Sequence, residues 1–355
     1  MKKKLLSTAA AAIALTVLVA GCGTNSTGGS TSGGNATGSG GAASGNKSDL
    51  KVGLVTDTGG LNDNSFNHLA DVGLQNAQKQ LGVTGSVVES TSESDYIPNL
   101  TRFAQNGYDL VIAVGYLMHD AVEQVAKQYP KTHFLIIDDT ITDRPNVSSA
   151  VFKAEQAGYL AGAMAGLLET GKSLPNLNSQ NVVGVIGGQN IPPVNDYIAG
   201  FQQGFKKEDP NGKVLLQYTN SFTDQALGSQ YAQNEMAQGA DIVFPDAGGC
   251  GLGAINAVKS ANKYAIGVDT DQSYLAPKNV LTSATKGVDT AVFDTIKDLQ
   301  TNNFHSGVTN FDLKGNGVGI GKVMSGVPQS VIDQVNSLKQ DIISGKIQVS
   351  TTIQK

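Results

Sequence analysis

From Lys51 onward, short runs of apolar and β-branched residues alternate with longer stretches whose apolar positions recur at i, i+3 and i+4. The first pattern predicts strands over 51–57, 86–91, 109–115, 132–138, 149–152, 182–187, 213–219, 241–246, 263–269 and 280–285. The second predicts helices over 66–80, 96–105, 121–128, 155–168, 195–206, 225–238, 252–260 and 290–299. Such alternation predicts doubly wound α/β architecture, with parallel sheets covered by helices on both faces. Runs such as Leu110-Val111-Ile112-Ala113-Val114 and Phe134-Leu135-Ile136-Ile137 are apolar throughout, as strands buried on both faces are.

Ten strands make too large a sheet for one compact domain of this length, and the order of elements repeats from about residue 182, although the residues themselves show no repeat. Two lobes are therefore expected. The first takes 49–152 plus about 282–310, and the second takes 153–281 plus about 311–355. The segment 302–326, rich in Gly and Asn, is expected to hold lobe crossings and a last strand. Asp57, Gly115, Asp138, Asp246 and Asp269 all fall where an apolar strand ends. Open parallel sheets bind ligands outside those carboxyl ends.

The N-terminal pattern differs. Lys2 to Lys4 precede a small, apolar stretch from Leu5 to Ala20, too short for the roughly 20 residues that span hydrocarbon. This reads as a signal peptide over 1–21. Val19-Ala20-Gly21-Cys22 resembles a lipobox, which makes Cys22 the expected lipidation site and places the chain on the extracytoplasmic face of a cell membrane. Residues 23–48 are almost entirely Gly, Ser, Thr, Asn and Ala, a flexible tether with little to bury. With Cys22 given to lipid, Cys250 has no internal disulfide partner. The net charge of −5 and the lack of a basic run after the leader disfavour a nucleic-acid partner.

The densest polar cluster is Thr56-Asp57-Thr58-Gly59-Gly60-Leu61-Asn62-Asp63-Asn64-Ser65-Phe66-Asn67, between the first strand and the first helix. Glycines allow a tight turn, the helix start offers free N–H groups, and Asp57 offers acceptor oxygens. The plain reading is a turn whose helix is capped by Asn64 or Ser65. Phe66 fits that reading poorly.

Lys51-Val52-Gly53-Leu54-Val55-Thr56-Asp57 followed by Asp63-Asn64-Ser65-Phe66-Asn67 resembles the opening of the basic membrane protein family of substrate-binding lipoproteins. The likeness continues through Phe134 to Asp138, Phe152-Lys153 with Gly158-Tyr159-Leu160-Ala161-Gly162, and Val185-Ile186-Gly187-Gly188. It goes on in Phe244-Pro245 with Ala247-Gly248-Gly249, Ile266 to Gln272, and Leu281-Thr282-Ser283 with Lys286. The resemblance implies a type I periplasmic-binding-protein fold without cofactor or catalysis, here expected as a monomer. It also implies a purine nucleoside ligand and an ABC permease partner.

By the same resemblance Phe66 and, less directly, Phe222 sandwich the base. Asp138 reads the base edge, with the adjoining Asp139 as an alternative. Asp57, Asp269 and Lys286 hold the sugar, and Asp271 stands behind them. Asn64, Asn67, Asp246, Gly248 and Gly249 complete the expected ligand-binding set, although the family more often carries a small residue where Asp246 stands.

Three rival readings use the same residues. Gly249-Cys250-Gly251-Leu252-Gly253-Ala254, with Asp269 twenty residues after Gly249, satisfies the spacing of a dinucleotide fingerprint. That segment, however, opens a late βα unit of a secreted chain. A nucleoside hydrolase would want closely paired aspartates for calcium, and 57–63 lacks them. His68, His119, His133 and His305 have no metal-ligand spacing. The same two-lobed fold could also serve a ligand sensor, closing about its hinge in the same way.

Overall fold

The computed structural model describes residues 48–354. The leader, Cys22 and the tether to residue 47 lie outside them. Two six-stranded sheets form the frame. The first takes β1 (Lys51–Thr56), β2 (Thr84–Val88), β3 (Leu110–Val114), β4 (His133–Ile137), β5 (Val147–Phe152) and β11 (Gly307–Phe311), in the order β11-β5-β4-β3-β1-β2. The second takes β6 (Val182–Gly187), β7 (Lys213–Tyr218), β8 (Ala240–Asp246), β9 (Tyr264–Asp269), β10 (Val280–Lys286) and β12 (Val318–Ile320), in the order β12-β10-β9-β8-β6-β7. Every strand pair is parallel except β10–β12. The first five strands of each sheet wind alike, so the repeat of element order is a repeat of topology, and the two sheets differ only in the direction of the sixth strand.

Alternation of side chains explains why these strands are apolar throughout. In the first sheet Leu110, Ile112 and Val114 face α1 (Phe66–Leu81) and α8 (Val288–Gln300). Val111 and Ala113 face α2 (Tyr96–Gln105) and α3 (His119–Gln128). In the second sheet Val183 and Val185 face the core that holds α4 (Ala154–Gly171) and α5 (Pro192–Glu208), and Val182 and Ile186 face α6 (Gln225–Ala237) and α7 (Gly249–Ser260). Helices α4 and α5 approach closely because glycines face backbone on both sides. A Cβ on Gly162 would lie 2.0 Å from the Phe201 carbonyl oxygen, and one on Gly204 would lie 1.9 Å from that of Tyr159.

The segment 302–326 supplies both late strands, β11 and β12, one to each sheet. The expected lobe change at about 282 is displaced, because β10 runs alongside β9 as far as Asp269 and continues to Lys286. The chain leaves the second sheet at Gly287, adds α8 and β11 to the first lobe, and returns after Phe311. A helix absent from the expectation, α9 (Gln329–Ile343), packs Val331, Val335, Leu338 and Ile342 against the core. Among the described residues no helix is long and apolar enough to cross a membrane.

Candidate functional site

The carboxyl ends of both sheets face one cavity, where a few polar groups converge among apolar side chains as they do in small-molecule sites. Of the expected residues, Asp57, Phe66, Asn67, Asp138, Phe222, Asp246, Gly248, Asp269 and Lys286 line it. Asp57 follows β1, Asp138 follows β4, and Asp246, Asp269 and Lys286 end β8, β9 and β10. Asp138 (φ 65°) and Asp269 (φ 60°) adopt the left-handed conformation, uncommon for residues other than glycine. That turns each chain sharply at its strand end, just where the carboxylate is needed.

Lys286 organises one wall. Its Nζ lies 2.7 Å from Asp138 Oδ2 in the opposite lobe and 3.6 Å from Asp269 Oδ1. It also sits 4.9 Å from the Phe66 ring centroid, 5.2 Å from that of Tyr197 and 5.6 Å from that of Phe152, a cage suited to a cation. Burial pulls the Lys286 pKa down, but the charges of Asp138 and Asp269 outweigh it and keep the ammonium protonated. Burial raises Asp138 in spite of Lys286. Asp139 does not line the cavity; its Oδ2 accepts a hydrogen bond from His119 Nδ1 at 2.6 Å. The Asp138–Lys286 contact also places Asp138 in the same polar group as Asp269.

Asp57 follows a strand of the same sheet as Asp138 and is held by its own loop and the start of α1. Its Oδ1 accepts from the Gly59 N–H at 2.8 Å and from Asn67 Nδ2 at 2.7 Å. Burial pushes its pKa up to about 6, with the bonds from Asn67 and Gly59 opposing the rise. Behind it, Asp63 performs the capping expected of Asn64 or Ser65. Its two oxygens accept from the backbone N–H groups of Ser65, Asn67 and His68. Ser65 instead donates across the cleft to Asp269 Oδ2 at 2.6 Å. No strand end marks Asp63 in the sequence, and its partners are Ser65 and the first residues of α1.

Asn64, Gly249 and Asp271 do not line the cavity. Asn64 joins the lobes at its rim, where its Oδ1 accepts from Tyr274 Oη at 3.0 Å and its carbonyl from Gln272 Nε2 at 3.1 Å. The Asp271 carboxylate accepts from the Ser273 N–H in a local turn. Gly249 opens α7 where a Cβ would lie 2.9 Å from the Phe222 carbonyl oxygen, so it makes room for the segment carrying that ring. Gly188 does the same from the other side, since its Cβ would fall 2.2 Å from Phe222 Cε1. The apolar part of the wall comes from Leu117, Ile191, Pro193 and Val194, which lie in loops or helix starts and were not expected.

What the arrangement offers is two aromatic rings for a flat group and several buried acceptors around one ammonium for hydroxyl or N–H donors. Among the described residues no group of three or more His, Cys, Asp or Glu could hold a metal ion, although five aspartates line the cavity.

Residues 50–352 match the model of the Bmp family, described as PnrA-like ABC transporter substrate-binding proteins. A Lactococcus lactis protein named ABC transporter nucleoside-binding protein BmpA is 34% identical over 373 aligned positions, covering 98% of this chain and 99% of that one. A CD4+ T-cell-stimulating antigen of Listeria monocytogenes is 36% identical, covering 85% and 88%. Among solved structures, an ABC transporter solute-binding protein of Aeropyrum pernix superposes with a TM-score of 0.78 at 27% identity, covering 86% of this chain and 94% of that one.

Proposed function

The chain belongs to the Bmp family of PnrA-like ABC transporter substrate-binding proteins, and from that premise we propose that it captures a purine nucleoside between its lobes and delivers it to an ABC permease. The observation that carries this reading is the pairing of Phe66 and Phe222 with the Lys286, Asp138 and Asp269 group in one cavity. The two rings take the base, each stacking contact contributing about 1–3 kcal/mol. Asp138 and Asp269 accept from vicinal ribose hydroxyls while Lys286 donates to a sugar oxygen. Asp57, oriented by Asn67, reads donors on the base edge. In this assignment Asp138 moves from the base to the sugar and Asp57 from the sugar to the base, because Asp138 contacts Lys286 whereas Asp57 is held by Gly59 and Asn67.

The name of the Lactococcus relative supports the ligand class. The acidic cavity supports an uncharged ligand over a nucleotide, since five aspartates face one lysine and phosphate would bring further like charge. Lipidation at Cys22 would hold the protein on the extracytoplasmic face, as a monomer beside its permease. Calorimetric titration of protein starting at Asp49, refolded to strip bound ligand, tests the reading. Purine nucleosides should bind at submicromolar Kd, and nucleotides and free ribose at least about a hundredfold more weakly. Absence of binding to every nucleoside overturns it.

A further inference from the structure

Four of the five aspartates lining the cavity are used by the protein itself. Asp57 is held by Gly59 and Asn67, Asp63 by the start of α1, Asp138 by Lys286, and Asp269 by Ser65 and Tyr197. Asp246 differs. The residue is 6% exposed, and its Oδ2 is buried without a hydrogen-bond partner among the described residues. Tyr96, Arg144, Glu169 and Glu235 also carry an unpartnered buried atom, but none of them lines the cavity.

The position of Asp246 is equally particular. It ends β8 opposite Gly187 of β6, where the winding of the second sheet reverses. Ligands of open α/β sheets settle at such reversals. Gly248, at φ 54°, turns the chain immediately beyond it, and the Phe222 side chain packs beside that turn. Burial and the nearby charge of Asp269 hold the Asp246 carboxyl well above the ordinary range. A buried acceptor without a partner lowers stability, and a ligand donor would relieve that cost.

We propose that Asp246 is a specificity-determining residue whose Oδ2 accepts a hydrogen bond from the bound ligand. The cleft then demands one donor beyond those that Asp57, Asp138 and Asp269 read. This deepens the nucleoside reading and rests on it. The donor is an O–H of the ribose or an N–H of the base, and the ligand series below separates the two.

The experiment measures binding of a purine nucleoside to the wild type, Asp246→Ala and Asp246→Asn by calorimetry. It then repeats the series with the 2′-, 3′- and 5′-deoxy analogues and with purine riboside, which lacks base N–H donors. Asp246→Ala should weaken the parent nucleoside tenfold or more while the Tm of the empty protein stays level or rises. Asp246→Asn, which keeps an acceptor oxygen, should retain more of the affinity. One analogue, missing the donor that Asp246 reads, should bind wild type and Asp246→Ala alike. Loss of an equal factor across every analogue overturns the inference. So does unchanged affinity for the parent, or a lowered Tm of the empty protein in both variants. A wild type that binds no nucleoside refutes the nucleoside reading and this inference together, whereas a wild type that binds with a flat analogue profile refutes this inference alone.

Discussion

Replacing Lys286 by Met removes the ammonium that faces Asp138 across the cleft at 2.7 Å and Asp269 at 3.6 Å, while keeping an apolar stem among Phe66, Phe152 and Tyr197. The Lys286 side chain is 4% exposed and that of Asp138 is 7% exposed, so the pair is desolvated. Breaking such a pair by removing one partner costs about 3–5 kcal/mol. Because Asp138 and Lys286 lie in different lobes, the cost falls on the closed form, and the protein escapes it by opening. Affinity for a nucleoside should fall by about a hundredfold to a few thousandfold, at 1.4 kcal/mol per tenfold. The loss should depend on pH. Asp138 already titrates above the ordinary carboxylate range, and without Lys286 it rises further. An acid with a higher pKa in the closed than in the open form favours closure at low pH, and that benefit disappears as pH rises through the closed-form value. The deficit should therefore be greatest near about pH 8 and shrink toward about pH 5, with Lys286→Met/Asp138→Asn recovering part of it at the higher pH. Calorimetry across that range, with small-angle scattering to read opening, measures both effects. A loss of affinity that is the same at every pH, or a matching fall in the Tm of the empty protein, would refute the reasoning.

Three further outcomes are expected. Asp57→Asn keeps an oxygen for Gly59 and Asn67 but cannot ionise; since burial raises Asp57 from 3.8 to about 6, wild-type stability declines as pH rises through that interval. The variant should exceed wild type by up to about 3 kcal/mol near pH 8 and by nothing near pH 4 in urea melts, and a constant difference would contradict this. Gly204→Ala places a methyl against the Tyr159 carbonyl between α4 and α5 and should cost about 1–3 kcal/mol or more by thermal or denaturant unfolding, with the m-value unchanged. Tyr274→Phe deletes the rim bond to Asn64, and stopped-flow release of ligand should accelerate about two- to tenfold with no change in Tm.

The frame was readable because each buried strand is apolar on both faces and four of the five cavity aspartates stand at, or one step beyond, a strand end, Asp63 being the exception. Asp57, Asp138, Asp246 and Asp269 follow from that rule alone. Residues set by loops do not. Asn64 and Asp271 lie within a residue or two of true cavity positions, yet one joins the lobes at the rim and the other closes a turn. A one-residue change of side-chain direction in a loop leaves no periodic trace. Phe222 is positioned by bare backbone at Gly188 and Gly249, contacts distant in the chain. Helix α9 does carry a periodic signal, Val331, Val335, Leu338 and Ile342 at helical spacing. Strand β12 spans three residues and β11 is largely exposed, so neither offers enough pattern to place it in a sheet.

The late return of the chain to its first lobe bears on how the protein is made. Strand β5 ends at Phe152, but β11, which pairs with it, begins at Gly307, and α8, which covers α1, begins at Val288. A chain emerging from its N-terminus leaves one edge of the first sheet unpaired and one helix face uncovered until nearly the whole second lobe has followed. At roughly 5–20 residues per second that interval lasts on the order of ten seconds or more. An open parallel edge is a template for pairing with other chains. The discontinuity therefore sets a window during synthesis in which the first lobe is at its most prone to aggregate, and truncations between residues 153 and 306 would make that window permanent.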